Sequence, residues 1–176
     1  MKTEQSGSGE KARPQVGIVM GSDSDLGVME ETAAILRNFG IAFEITVASA
    51  HRTPERAAEW ARNAPARGIR VIIAGAGHAA HLAGAMAAQS TLPVIGVPID
   101  SSCLQGLDAL LSTVQMPPGI PVATMAVGKP GAKNAGLLAV QILALSDAEL
   151  AARLVAHRQE MADQVERKAA ALLRVE

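Results

Sequence analysis

Unbroken apolar runs alternate along this chain with segments whose apolar residues recur every three or four positions. The runs VGIVM (16–20), AFEITV (42–47), RVIIAGAG (70–77), PVIGVPI (93–99) and PVATMAV (121–127) predict five β-strands. Between them, Leu26, Met29, Ala33 and Leu36 share one helical face. Thr53 stands as a helix cap, with Pro54 at the first helical position and Glu55 against the dipole. An Ala-rich helix is expected to about Gln89, another around Leu104 to Val114, and a fifth ending near Leu145. Strand runs without polar alternation predict a sheet covered on both faces, hence a parallel one. Repeated βα units then predict a three-layer, doubly wound α/β sandwich.

The pattern continues past the fifth unit. The box SDAE, Ser146 to Glu149, opens a last helix over 146–174, with Leu150, Leu154, Met161, Val165 and Leu172 on a narrow stripe among charges. It could dock on its own domain. Because five βα units already cover the sheet, the stripe is expected to pack on another subunit. The polar stretch 1–15 lacks the apolar block of a signal peptide and is expected to be a disordered tail, leaving 16–176 as one domain.

Composition narrows the class. The core must be built from Ala, Val, Ile and Leu, because the chain has no Tyr, one Trp (Trp60) and two Phe. A formal net charge of −1 argues against a nucleic-acid binder. One cysteine, Cys103, excludes an internal disulfide and fits a reducing compartment, so a cytoplasmic location is expected. No apolar run approaches the ~18 residues of a membrane span.

In open α/β sheets, ligands sit beyond the carboxyl ends of the strands. Ser22, Ser24 and Asp25 follow the first predicted strand, and Ser49, His51 and Arg52 the second. Gly75 and Gly77 close the third strand, with His78 and His81 just beyond. Gly128, Lys129, Gly131, Lys133 and Asn134 follow the fifth. Three of the four histidines therefore fall on one predicted edge. Each piece also has a plain reading. GSDSD can be a turn and helix cap, GAGH can allow close helix packing, and Arg52 can pair with Glu55 or Glu59. His51 gains little from packing, and its place suits a group that exchanges protons near neutral pH. Zinc on His51, His78 and His81 is disfavoured: no carboxylate lies at helical spacing with the histidines, and Arg52 opposes a dication. Cys103 has no histidine near it in sequence and is expected to be a small buried residue.

The segments GIVMGSDSD, SAHRTPE, VIIAGAG.AAHL.G, PVIGVP and GLDALLSTVQMP.GIPVAT.A.GK.GA.NAGLLA.QILA together resemble the class I N5-carboxyaminoimidazole ribonucleotide mutases of purine biosynthesis (PurE), from about Val16 to Leu145. The resemblance implies a flavodoxin-like sandwich assembled as a homo-octamer, with active sites shared between subunits. It implies a ribonucleotide substrate whose carboxylate migrates from an exocyclic nitrogen to a ring carbon through carbon dioxide, with neither cofactor nor metal. By motif, His51 matches the acid/base and His81 the second histidine of the family. Ser22, Asp25 and Arg52 match nucleotide-binding positions, with Ser49, Gly75 and Gly77 expected beside them; the glycines would leave room for the base and the gas molecule. Two positions depart from the pattern: His78 stands where the family usually has Gly, and Ala83 where Pro is common. The nearest alternative is direct carboxylation of the aminoimidazole by free carbon dioxide, whose usual loop lacks AAHL. A flavin-binding module is opposed by the missing tyrosines, and a metal hydrolase by the points raised against zinc.

Overall fold

The computed structural model describes residues 13–173. Its strands are β1 (Val16–Met20), β2 (Phe43–Val47), β3 (Val71–Gly77), β4 (Val94–Ile99) and β5 (Ala123–Thr124). Its α-helices are α1 (Leu26–Asn38), α2 (Pro54–Arg62), α3 (Leu82–Gln89), α4 (Leu107–Val114), α5 (Lys129–Ala144) and α6 (Ala148–Leu172). Every strand pair is parallel and the order is β2-β1-β3-β4-β5. That is the flavodoxin-like order of the expected three-layer sandwich, with its switch point between β1 and β3.

The strand period of two splits the core between the faces. Val16, Ile18 and Met20 of β1 and Val71 and Ile73 of β3 join Met29, Leu36, Ala135 and Leu143 of α1 and α5. Val19, Ile72 and Ala74 join Ala57 and Ala61 of α2 and Leu82 and Met86 of α3 on the other face. Each fully buried Ile, Leu or Met contributes about 1.5–3 kcal/mol. Small residues let the helices come close: Thr32 of α1 donates its hydroxyl proton to the Ala132 carbonyl of α5 at 2.7 Å.

Four local expectations are corrected. The fifth strand is two residues long rather than 121–127. Pro98 explains the early stop. Its carbonyl faces the β5 side, where Gly128 N–H reaches it at 2.8 Å, and on that same side Pro98 has no N–H to continue the ladder. The last helix is capped by Asp147, not Ser146: the Asp147 carboxylate accepts from Leu150 N–H at 2.9 Å. Thr53 holds the N-cap position of α2 without capping it, since its hydroxyl turns back to Ser49. Cys103 is exposed, in the loop between β4 and α4.

The tail expected over 1–15 falls outside the described residues up to position 12. Gln15 is already tied into the sheet, donating to Ala42 O and accepting from Arg70 N, both at 2.8 Å. Only the start of α6 rests on the domain. Leu150 is buried and Arg153 donates to the Phe39 and Asn38 carbonyls at 3.0 Å, whereas Val155, Met161, Val165 and Leu172 are exposed.

Candidate active site

At the carboxyl ends of β1 and β3, where the strand order switches, lies a cleft of about 440 Å³. Three loops and one residue beyond β4 build it.

The first loop leaves β1 at Gly21. Ser22 caps a one-turn 3-10 helix, Asp23–Asp25, accepting from Ser24 N–H at 3.3 Å and donating to the Asp23 carboxylate at 3.2 Å. Asp25 lines the cleft yet is only 5% exposed. Burial raises its carboxyl pKa above the ordinary 3.8, against the opposing pull of hydrogen bonds from Ser22 and Ser24 and of the nearby His78.

The second loop, between β2 and α2, is a tight turn tied to itself. The Ser49 hydroxyl accepts from Arg52 N–H at 3.1 Å, and the Thr53 hydroxyl accepts from Ser49 N–H at 3.0 Å. With the backbone held this way, His51 and Arg52 project into the cleft and Ser49 stays outside its lining. The Arg52 guanidinium reaches across to the Gly21 carbonyl, donating through Nη2 at 2.8 Å. It bridges the first two loops instead of pairing with Glu55 or Glu59. The remaining donors of its planar fork stay available to an anionic ligand.

The third loop follows β3. His81 takes the N-cap position of α3, and its Nδ1 stands 2.9 Å from Nε2 of His51, with the ring planes at 83°. The two imidazoles are thus within hydrogen-bonding reach across two loops, with the tautomer deciding which nitrogen donates. His78 also faces this cleft, with Nδ1 3.2 Å from the Ser101 hydroxyl. Gly77 lines the cleft, and a Cβ there would collide with that hydroxyl. Gly75 lies below the cleft, and the space a Cβ would need is filled by Met29 of α1. Ala83, at the second position of α3, is buried on the α2–α3 side.

The structure thus gathers Ser22, Asp25, His51, Arg52, Gly77 and His81 around one space, while Ser49 and Gly75 support it from behind. The basic residues after β5 lie elsewhere: Lys129 and Lys133 point to Glu31 at 3.7 and 3.5 Å. Ser101 belongs to the site and escaped the sequence reading, although its place just past β4 was a usable signal. A larger cleft of about 900 Å³ lies at the opposite end of the sheet, near Pro93 and Pro121. Its one titratable lining residue, Arg62, is bonded to Gln89 at 2.6 Å, whereas the smaller cleft collects three imidazoles, a guanidinium and a carboxyl.

Among known proteins, the family model described as AIR carboxylase matches residues 15–164. The N5-carboxyaminoimidazole ribonucleotide mutase of Pyrococcus horikoshii is 59% identical over 157 residues, covering 89% of this chain and 88% of that protein. The mutase of the same name from Mycobacterium tuberculosis is 56% identical over 163 residues, covering 93% and 92%. The crystal structure of Treponema denticola PurE superposes with a TM-score of 0.83 at 33% identity, covering 92% of this chain and all of that one. The chain belongs to the AIR carboxylase family, alongside its N5-carboxyaminoimidazole ribonucleotide mutases.

Proposed function

We propose that this chain converts N5-carboxyaminoimidazole ribonucleotide into 4-carboxyaminoimidazole ribonucleotide, with the His51–His81 pair handling the one proton that the isomerisation moves. The observation that carries this reading is the 2.9 Å contact between the two imidazoles, inside a cleft that also holds Arg52 and Asp25.

An imidazolium at His51 donates its proton to the carbamate nitrogen. The N–C bond breaks, carbon dioxide leaves, and the nitrogen keeps the bonding pair as an amine. The aminoimidazole is an enamine, so its ring carbon attacks carbon dioxide and forms the new C–C bond. Loss of the proton on that carbon to His51 restores aromaticity and the starting imidazolium. Atoms and charge balance without a second reactant. The reaction needs one exchangeable proton, and a single imidazole can give it and take it back.

Other residues divide the binding. Arg52 grips an anionic group of the ribonucleotide with a geometry that Lys does not match. Asp25 accepts hydrogen bonds from ribose hydroxyls, and Ser22 serves the polar end of the ligand. Ala76, Ala79 and Leu82 form an apolar wall suited to carbon dioxide. The chain acts as a homo-oligomer, an octamer by resemblance. The exposed apolar residues of α6 and Leu107 and Leu111 of α4 support the association. A lone, exposed cysteine suits the reducing cytoplasm.

The deciding experiment incubates purified protein with the carbamate nucleotide, without ATP, and follows the ultraviolet spectrum of the product. Turnover of that substrate faster than of aminoimidazole ribonucleotide plus bicarbonate supports the mutase. The reverse preference would assign the chain to direct carboxylation.

A further inference from the structure

His78 is one of two non-glycine residues with positive φ among the described residues, at +54°. This left-handed conformation is disfavoured for a side chain with a Cβ relative to Gly. The strain is borne immediately after β3, in the loop that delivers His81 to the cleft. It is also braced, because the ring is held through Nδ1 by the Ser101 hydroxyl at 3.2 Å. Ser101 can approach only because Gly77 has no side chain. A histidine pointing idly outward would need neither the brace nor the space left for it.

We propose that His78 is a further ligand-binding residue of this site, with Ser101 holding Nδ1 and Nε2 meeting an anionic group of the ribonucleotide. This rests on the functional reading above and adds to it a second, titratable contact beside the permanent cation of Arg52. The charged and titratable groups around the ring are known. Asp25 comes from the turn after β1, His51 and Arg52 from the β2–α2 loop, and His81 from the start of α3. Asp108 of α4 also feels the charge of His78; its carboxylate accepts from Ser102 at 2.9 Å, a bond that holds it below the ordinary range. An anion bound at Nε2 interacts more favourably with an imidazolium than with a neutral ring, so binding through His78 is expected to be tighter at low pH.

Two sources of the anionic group are open, the phosphate and the product's ring carboxylate, and three probes separate them. Titration calorimetry with aminoimidazole ribonucleotide, its 4-carboxy product and the phosphate-free riboside is carried out at pH 6 and pH 8.5. The comparison covers wild type, His78→Gly, His78→Asn and Ser101→Ala. Gly and Asn both tolerate the left-handed backbone, so these variants are expected to fold with an unchanged or higher Tm. At pH 6 both His78 variants are expected to bind the carboxylated product about tenfold more weakly, and at pH 8.5 less than about threefold. Ser101→Ala is expected to fall in between. An equal loss with the uncarboxylated nucleotide assigns the contact to phosphate, and a loss confined to the product assigns it to the carboxylate. Affinities unchanged at pH 6, or weakened equally at both pH values for all three probes, overturn the role of His78. Wild-type turnover of the carbamate nucleotide, measured on the same preparation, tests the functional reading separately: its absence removes that reading, whatever the variants bind.

Discussion

Nε2 of His51 and Nδ1 of His81 stand 2.9 Å apart, joining two loops that are thirty positions apart in the chain. Replacing His51 by Asn removes the group that gives and takes the proton, and general acid–base catalysis of this kind is worth about 10²–10⁴ in rate. His51→Asn is therefore expected to lose at least that factor in kcat while still binding product. His81→Asn is expected to retain measurable turnover, with the limbs of its pH–rate profile moved. Stopped-assay rates across pH 5.5–9 check both. Near-normal kcat in His51→Asn would end the assignment.

Arg52 has a structural bond and a proposed ligand bond on the same guanidinium, and the two can be separated. Lys has its three donors on one nitrogen and lacks the planar fork, so it cannot hold the Gly21 carbonyl and an anion together in the geometry Arg52 offers. Arg52→Lys is expected to weaken nucleotide binding by about tenfold or more, with kcat less affected and Tm nearly unchanged. Calorimetry with the product nucleotide measures it. An unchanged Kd would take Arg52 out of the binding site.

Much of this architecture was legible in the sequence, for identifiable reasons. β1, β3 and β4 are apolar because both their faces are covered, so they stood out as runs. The strand-end rule then brought His51, His78 and His81 to one edge. What failed depended on atoms rather than residue types. Ser146 and Asp147 are both capping residues, and only the backbone decides that Asp147 meets the Leu150 N–H. The shortness of β5 follows from a missing donor on one side of Pro98 in the neighbouring strand. Gly75 and Gly77 read alike as room for a ligand, yet Met29 occupies the room at one and Ser101 at the other. Lys129 and Lys133 follow β5 at the same strand-end edge, yet they reach Glu31 of α1 and do not line the cleft.

Asp25 carries a stability cost whose sign can be worked out. Its folded pKa lies above the ordinary 3.8 because burial disfavours the charged form. The folded state thus holds this proton more tightly than the unfolded chain, so ionisation costs stability. That cost is absent below the unfolded value, grows as pH rises toward the folded pKa, and is fully present above it. Asp25→Asn is expected to match or exceed wild type in Tm at pH 7, and to lose that advantage near pH 3.5. A carboxylate accepting ribose hydroxyls is worth about tenfold or more in affinity, so the same variant is expected to bind nucleotide more weakly. Thermal melts at the two pH values and one binding isotherm test it. A lower Tm at pH 7 with unchanged binding would make Asp25 a structural residue.

The stripe on α6 makes a separate prediction, about assembly. The helix still touches its domain through Leu154 and through His157 against Phe39, yet Val155 is 70% exposed, Val165 63% and Leu172 77%. Water-facing valines and leucines along several helical turns gain about 25 cal/mol for each Å² of apolar surface they cover. A second copy of the chain offers the same stripe, and symmetric pairing of identical patches is the common route to oligomers. Met161→Glu with Val165→Glu places charges on the stripe without touching Leu150 or Arg153, so the domain is expected to remain folded. In sedimentation velocity the wild type is expected to run as a single large homo-oligomer and the double variant as smaller species. Identical sedimentation of the two would free the helix from any part in assembly. If smaller species form with turnover unchanged, each cleft is complete within one chain. If turnover falls with the assembly, a neighbouring subunit completes the site.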